Sequence, residues 1–164
     1  MKKQWNGKRR FYPVMLTLVV VISVLSGCSG KDDKTPEQLS ATQIGKSIEQ
    51  AVSLKEMKKR DLSKLQELYK IDADSVDNFI LYTSTSNVKA DELAVIKLKD
   101  ESQVENVKKN IQQRIETQKI KFKDYRPDEY FLVENHLLKT KGPIVFFAVS
   151  KEADQMEHGF DDAF

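Results

Sequence analysis

Apolar residues follow three rhythms along this chain. Residues 11–25 form an almost unbroken apolar run, interrupted by Pro13, Thr17 and Ser23. Further on, apolar positions recur at helical spacing or alternate with polar ones. Leu39, Ile44, Ile48, Ala51 and Val52 repeat near 3.6 residues behind Thr35-Pro36-Glu37-Gln38. That opening supplies a cap, a proline at the first helical position and a glutamine three residues after the cap, predicting a helix over 36–53. Asp61 opens a second, shorter helix whose stripe is Leu62, Leu65, Leu68 and Tyr69. Between the two, residues 55–60 are basic with Met57 as their one apolar member, and read as a solvated connector.

Period-2 alternation predicts strands over 78–83 and 92–99, joined as a hairpin by the polar Ser84-Thr85-Ser86-Asn87. The longest helical stripe runs over 101–122 through Val104, Val107, Ile111, Ile115 and Phe122, with Gln118 in a stripe position. A short helix over 128–134 follows Pro127. Strands over 136–140 and 144–149 meet at the Lys141-Gly142-Pro143 turn. The last strand, Ile-Val-Phe-Phe-Ala-Val, is apolar on both faces and is expected to be central and covered by helices. A short helix is expected after Lys151. The order α-α-β-β-α-α-β-β-α predicts an α+β fold: two layers, a mostly antiparallel four-stranded sheet, and helices packed on one face. Regular β-α-β alternation, the mark of a doubly wound nucleotide fold, is missing from this order.

The first rhythm has a different meaning. Lys2, Lys3, Lys8, Arg9 and Arg10 precede the apolar run, and no Asp or Glu occurs before Asp32. Fifteen residues are short for a permanent span, which needs roughly 20 to cross the hydrocarbon core. They fit the cationic and apolar regions of an export signal. Leu25-Ser26-Gly27-Cys28 comes directly after, and Cys28 is the one cysteine of the chain. This resembles the lipobox of bacterial lipoproteins. The resemblance implies a diacylglyceryl group on the Cys28 thiol and cleavage between Gly27 and Cys28. Residues 1–27 would then be a signal peptide, 28–35 a lipidated tether, and 36–164 a single extracytoplasmic domain on the cell membrane. Two acyl chains meet the requirement for stable anchoring. A tether of seven small and charged residues, 29–35, reaches at most ~25 Å.

Cleavage also changes the charge. The whole chain carries a formal +2, from 27 Lys and Arg against 25 Asp and Glu. The five cations leave with the signal, so 22 face 25 and the mature chain carries −3. That balance lacks the electrostatic footprint of a nucleic-acid binder. With its one cysteine capped, the mature domain has no thiol for disulfides, zinc or nucleophilic catalysis.

Catalytic motifs are absent. His136 and His158 lie in no ligand-type spacing, no Gly-x-Ser-x-Gly elbow exists, and six glycines cannot build a phosphate-cradling loop. Asp72, Asp74 and Asp77 evoke a calcium loop but lack its central glycine and distal glutamate, and read as a capped turn. No metal and no cofactor beyond the covalent lipid is expected. One constellation is less ordinary. Arg114 and Gln118 are i, i+4 neighbours beside Ile111 and Ile115, followed by Tyr125 and Glu129, with Glu92 at the start of a strand this helix covers. The expected network pairs Arg114 with Glu92 or Glu129, while Gln118 and the Tyr125 hydroxyl satisfy the loop backbone. It reads first as a polar belt pinning helix to sheet, and second as a groove that recognises a carboxylate or peptide through Arg114.

The same stretch carries a second resemblance. Asp91-Glu92-Leu93-Ala94, then Arg114, Gln118, Phe122, Tyr125, Pro127 and Glu129, then Lys141-Gly142 before Val145-Phe146-Phe147-Ala148-Val149, resembles a family of small lipoproteins of low-GC Gram-positive bacteria catalogued as a domain of unknown function. The similarity covers roughly residues 60–150. It implies no activity or catalytic residue, and an anchored, extracytoplasmic setting. The expectation is a non-enzymatic binding module whose partners are the membrane, through the anchor, and another envelope protein. The alternative is an envelope hydrolase or transferase in which two of Glu92, Glu129 and Glu134 converge with raised pKa values. A solute receptor ranks last, since such proteins need two lobes and more chain.

Overall fold

Both alternating sets of side chains on the two middle strands are apolar, and this decides the architecture. The computed structural model describes residues 35–164. In chain order the elements are α1 (Ala41–Ala51), β1 (Met57–Lys59), α2 (Leu62–Tyr69), β2 (Val76–Ser84), β3 (Glu92–Leu98), α3 (Val104–Phe122), α4 (Pro127–Glu134), β4 (Leu137–Lys141), β5 (Ile144–Val149) and α5 (Ala153–Asp161). The sheet is open, antiparallel throughout and ordered β1-β2-β3-β5-β4. All six residues of β5 are buried, as are all of β3 except Lys97.

Register sorts these residues to two sides. Leu81 lies opposite Ala94 and Ala94 opposite Phe147, on the face covered by α2, α3 and α4. Ile80 lies opposite Val95 and Val95 opposite Phe146, on the face covered by α1 and α5. The fold is α+β as expected, but its helices cover both faces rather than one, giving three layers. A sheet apolar on both sides would otherwise leave Leu93, Val95, Phe146 and Ala148 in water, and burying one such side chain is worth about 1.5–3 kcal/mol. Ile44 and Ile48 of α1 and Met156 and Phe160 of α5 close that side.

The sheet has five strands rather than four. The fifth, β1, falls in the basic segment that reads as a connector. Met57 pairs with Ser84 and Lys59 with Tyr82, while the Lys58 and Lys59 side chains stay exposed. Three residues carry too little alternation to announce a strand, and lysines on a short edge are how sheets discourage further pairing. The helix expected from Pro36 starts later. Residues 35–38 form a single turn, with Gln38 N–H donating to the Thr35 carbonyl at 3.0 Å. Ser40 then caps α1 in a reciprocal box with Gln43, and Asn78 Oδ1 accepts the Ala41 N–H at 2.6 Å. Asp61 caps α2 by accepting the Lys64 N–H at 3.0 Å. Among the described residues, no helix is long and apolar enough to cross a membrane. The expected signal segment and Cys28 lie outside the described residues.

Candidate functional site

The polar side chains of interest gather at the β2–β3 hairpin end of the sheet. Glu92 is the first residue of β3, and its register places it on the face covered by α3. It is buried. Arg114 Nη2 lies 2.8 Å from Glu92 Oε2 and Nε 3.4 Å from Oε1. The Tyr69 hydroxyl, at the last residue of α2, donates to Oε1 at 2.7 Å. Burial, then the Glu92 charge and its hydrogen bond, raise the Tyr69 pKa well above the ordinary tyrosine value. Burial opposes the Arg114 charge, but the Glu92 carboxylate outweighs it and holds the guanidinium protonated.

Of the two partners expected for Arg114, the fold selects Glu92. Glu129, on α4, is tied elsewhere: Lys89 Nζ reaches Oε1 at 2.7 Å and the Ala90 N–H donates to Oε2 at 2.8 Å. Burial pushes the Glu129 carboxyl up, yet the Lys89 and Ala90 hydrogen bonds outweigh it and the net direction is down. This group straps the end of the β2–β3 loop onto α4. Asp91 beside it is raised, first by burial and then by the Glu129 charge. Tyr125 is 85% exposed and takes no part in any of this. Its loop position turns the ring to solvent, so the loop backbone is not satisfied by its hydroxyl.

Gln118, one turn after Arg114, is only 8% exposed, and its side-chain amide has no hydrogen-bond partner among the described residues. It lines a cleft of about 420 Å³ between α3 and the 83–91 segment, with Arg114, Thr117 and Lys121 on the same wall. Arg60 lines the same cleft. Its Nε donates to Thr83 Oγ1 at 2.7 Å and Nη2 lies 3.4 Å from the Ser84 carbonyl. Sequence reasoning missed Tyr69, Lys89 and Arg60. For Tyr69 a signal existed, because a tyrosine ending a buried stripe must find a partner for its hydroxyl. The contacts of Lys89 and Arg60 span loop and edge, and carry no local signature.

The carboxylates that an acid/base mechanism would unite stay apart. Glu92 is held by Arg114 and Tyr69, Glu129 by Lys89 and Ala90, and Glu134 accepts from Tyr130 within α4 at 2.8 Å. His136 Nδ1 lies 2.8 Å from the Val133 carbonyl, and His158 is exposed on α5. Asp72 Oδ1 accepts the Asp74 N–H at 3.0 Å, capping a one-turn 3-10 helix. Among the described residues, no group of three His, Cys, Asp or Glu side chains could hold a metal ion.

A family model described as "Domain of unknown function (DUF4358)" matches residues 50–150. The chain belongs to this family. No curated protein and no solved structure matches it. The DUF4358 span holds all five strands with α2, α3 and α4, and therefore every residue of the cleft. It leaves out α5 and nearly all of α1, the layer that covers the opposite face. The family's common part is thus the sheet together with its cleft-bearing side.

Proposed function

We propose that this protein is a lipid-anchored module at the outer face of the cytoplasmic membrane, and that it binds a partner in the envelope rather than transforming a substrate. The observation that carries the anchored part is Leu25-Ser26-Gly27-Cys28, the chain's one cysteine, placed behind five cations and an apolar run. The binding part draws support from a cleft lined by five cations, in which Glu67, Glu92 and the adjoining Glu129 each pair with a separate cation, while Asp91 on the same rim takes its hydrogen bond from Ser150.

Labelled palmitate fed to cells tests the anchor. It enters the wild-type protein and not Cys28→Ala, and label in the variant would overturn the reading. Crosslinking in intact cells tests the binding role. A partner captured by the anchored form, and lost when Cys28 is removed, is the expected result. Turnover of an envelope substrate without any captured partner would replace the binding role with a catalytic one.

A further inference from the structure

Three features of the cleft are left over once the polar belt has been accounted for. Gln118 is nine-tenths buried, lines the cleft, and has no hydrogen-bond partner among the described residues. Arg60, and Lys121 with its Nζ 4.7 Å from the centroid of the Phe122 ring, line the cleft and have no carboxylate partner among the described residues. By contrast Lys64 is taken up by Glu67 at 2.6 Å, Lys89 by Glu129 at 2.7 Å and Arg114 by Glu92 at 2.8 Å. We infer that this cleft takes the carboxylate end of a short peptide, held by Arg60 and Lys121 through its charge and by Gln118 through its last amide. This deepens the binding role proposed above and rests on it.

The class of ligand follows from what each group needs. Arg60 has five N–H donors and uses two, so a forked face remains for an anion. Gln118 offers a carbonyl acceptor as well as two N–H donors. A phosphomonoester at neutral pH is mostly a dianion with acceptors alone, and inorganic phosphate keeps its O–H on the same small group that the two cations would hold, so neither presents the donor and acceptor side by side that Gln118 can pair with. A peptide amide has one of each, and pairs with Gln118 reciprocally, meeting its carbonyl and one of its two N–H groups. The volume, about 420 Å³, lies in the range of roughly 300–1,000 Å³ usual for small-ligand sites. Arg114, which the sequence suggested as the recognition group, instead holds the floor with Glu92.

The cleft also faces away from where the chain enters the domain. Lys97 Nζ donates to the Glu37 and Leu39 carbonyls at 2.7 and 2.9 Å, and the Leu98 N–H donates to the Pro143 carbonyl at 2.9 Å. Residues 35–39 and the β4–β5 turn therefore sit at the Leu98 end of β3, while the cleft sits at the Glu92 end, roughly 20 Å away at ~3.3 Å per strand residue.

Calorimetric titration of the full lipidated chain in detergent tests this with three probes: acetyl-trialanine, its C-terminal amide, and inorganic phosphate. The free acid is expected to bind at least about tenfold tighter than the amide, as expected of a site that pairs a ligand group the analogue lacks. Arg60→Ala combined with Lys121→Ala, and separately Gln118→Glu, are expected to abolish that binding. Thermal melts establish that each variant folds, and the double variant carries the test if Gln118→Glu does not. Equal affinity for acid and amide, phosphate binding in place of peptide, or no binding of any probe overturns the inference. Crosslinking in intact cells reports on the binding role independently: a partner captured there while none of the three probes binds overturns this ligand assignment alone, and no partner captured overturns the binding role itself.

Discussion

Arg114 Nη2 and Glu92 Oε2 are 2.8 Å apart, with the two side chains 19% and 3% exposed. An ion pair this far from water gives up much of its hydration, so its net worth against an apolar pair is small. Breaking it is another matter, because the surviving charge is stranded. Arg114→Ala and Glu92→Leu are each expected to cost about 3–5 kcal/mol, while Arg114→Met with Glu92→Leu costs less than either single change. Urea unfolding of the three variants checks this. Single variants within about 1 kcal/mol of wild type, the level of an exposed pair, would show that the pair does not pin α3 to the sheet.

Tyr69 makes the same carboxylate sensitive to alkali. Its hydroxyl donates to Glu92 at 2.7 Å, and its pKa lies well above the ordinary value of 10.0. In the unfolded chain that hydroxyl ionises near pH ~10, whereas in the fold it keeps its proton. The stability it contributes is therefore fully present below the unfolded value and is lost as pH rises toward the folded one. Tyr69→Phe is expected to cost about 1.5–3 kcal/mol at neutral pH, as for a hydrogen bond to a charged acceptor. It also flattens the decline in stability above pH ~10. Denaturant titrations across that range read both effects, and parallel pH profiles for wild type and variant would remove Tyr69 from the network.

What could be read from sequence, and what could not, divides by range. Among the described residues, period-2 and 3.6-residue patterns locate seven of the ten helices and strands, because each of these buries its own regular set of positions, and Pro127 and the tail after Lys151 mark two more. Strand β1 escaped because three residues with two lysines carry no period. The start of α1 was misplaced because Thr35-Gln38 and Ser40-Gln43 are equally good local caps. The choice falls to Asn78, 37 residues away, which meets the Ala41 N–H. Helices on the second face were implicit in Ile144–Val149, yet a sheet with cover on one side was the simpler assembly of the parts. Arg114 and Gln118 stand out by helical spacing and Glu92 by its place at the start of a strand that the helix covers, and the fold brings the three to one cleft. Tyr125 was grouped with them by proximity in sequence, and its exposure separates it.

Glu129 gives the β2–β3 loop an acid limit. Burial raises its carboxyl, but Lys89 and the Ala90 N–H prevail and set it below 4.5, the ordinary value. Its stabilising effect is present above that ordinary value and is lost as pH falls through the lower, folded one. Amide exchange at Ala90 is therefore expected to quicken in acid, relative to the trend of sheet amides, as the carboxylate that accepts it is neutralised. Glu129→Gln should show the quickened exchange already at neutral pH. Unchanged protection of Ala90 in that variant would mean that the loop is held by other contacts.

Gly159 sets the spacing of the layer that lies outside the matched family span. A Cβ there would come 2.7 Å from Ile48 Cα and 3.1 Å from the Ser47 carbonyl, backbone atoms of α1 that cannot turn aside. Gly45, in α1, would meet Ile80 Cδ1 at 2.7 Å, the free end of a side chain that can rotate. Helix propensity alone favours Ala over Gly by roughly 0.5–1 kcal/mol at both positions. The sign at each site thus depends on whether its neighbour yields. Gly159→Ala is expected to lose about 1–3 kcal/mol as α5 is pushed off α1, whereas Gly45→Ala stays close to neutral. Chemical shifts of Glu92 and Arg114 should not move in either variant, because the strain is confined to the opposite face of the sheet. A Gly159→Ala protein as stable as Gly45→Ala would show that the α1–α5 contact is loose enough to absorb a methyl group, and that the glycine is not what holds the two backbones together.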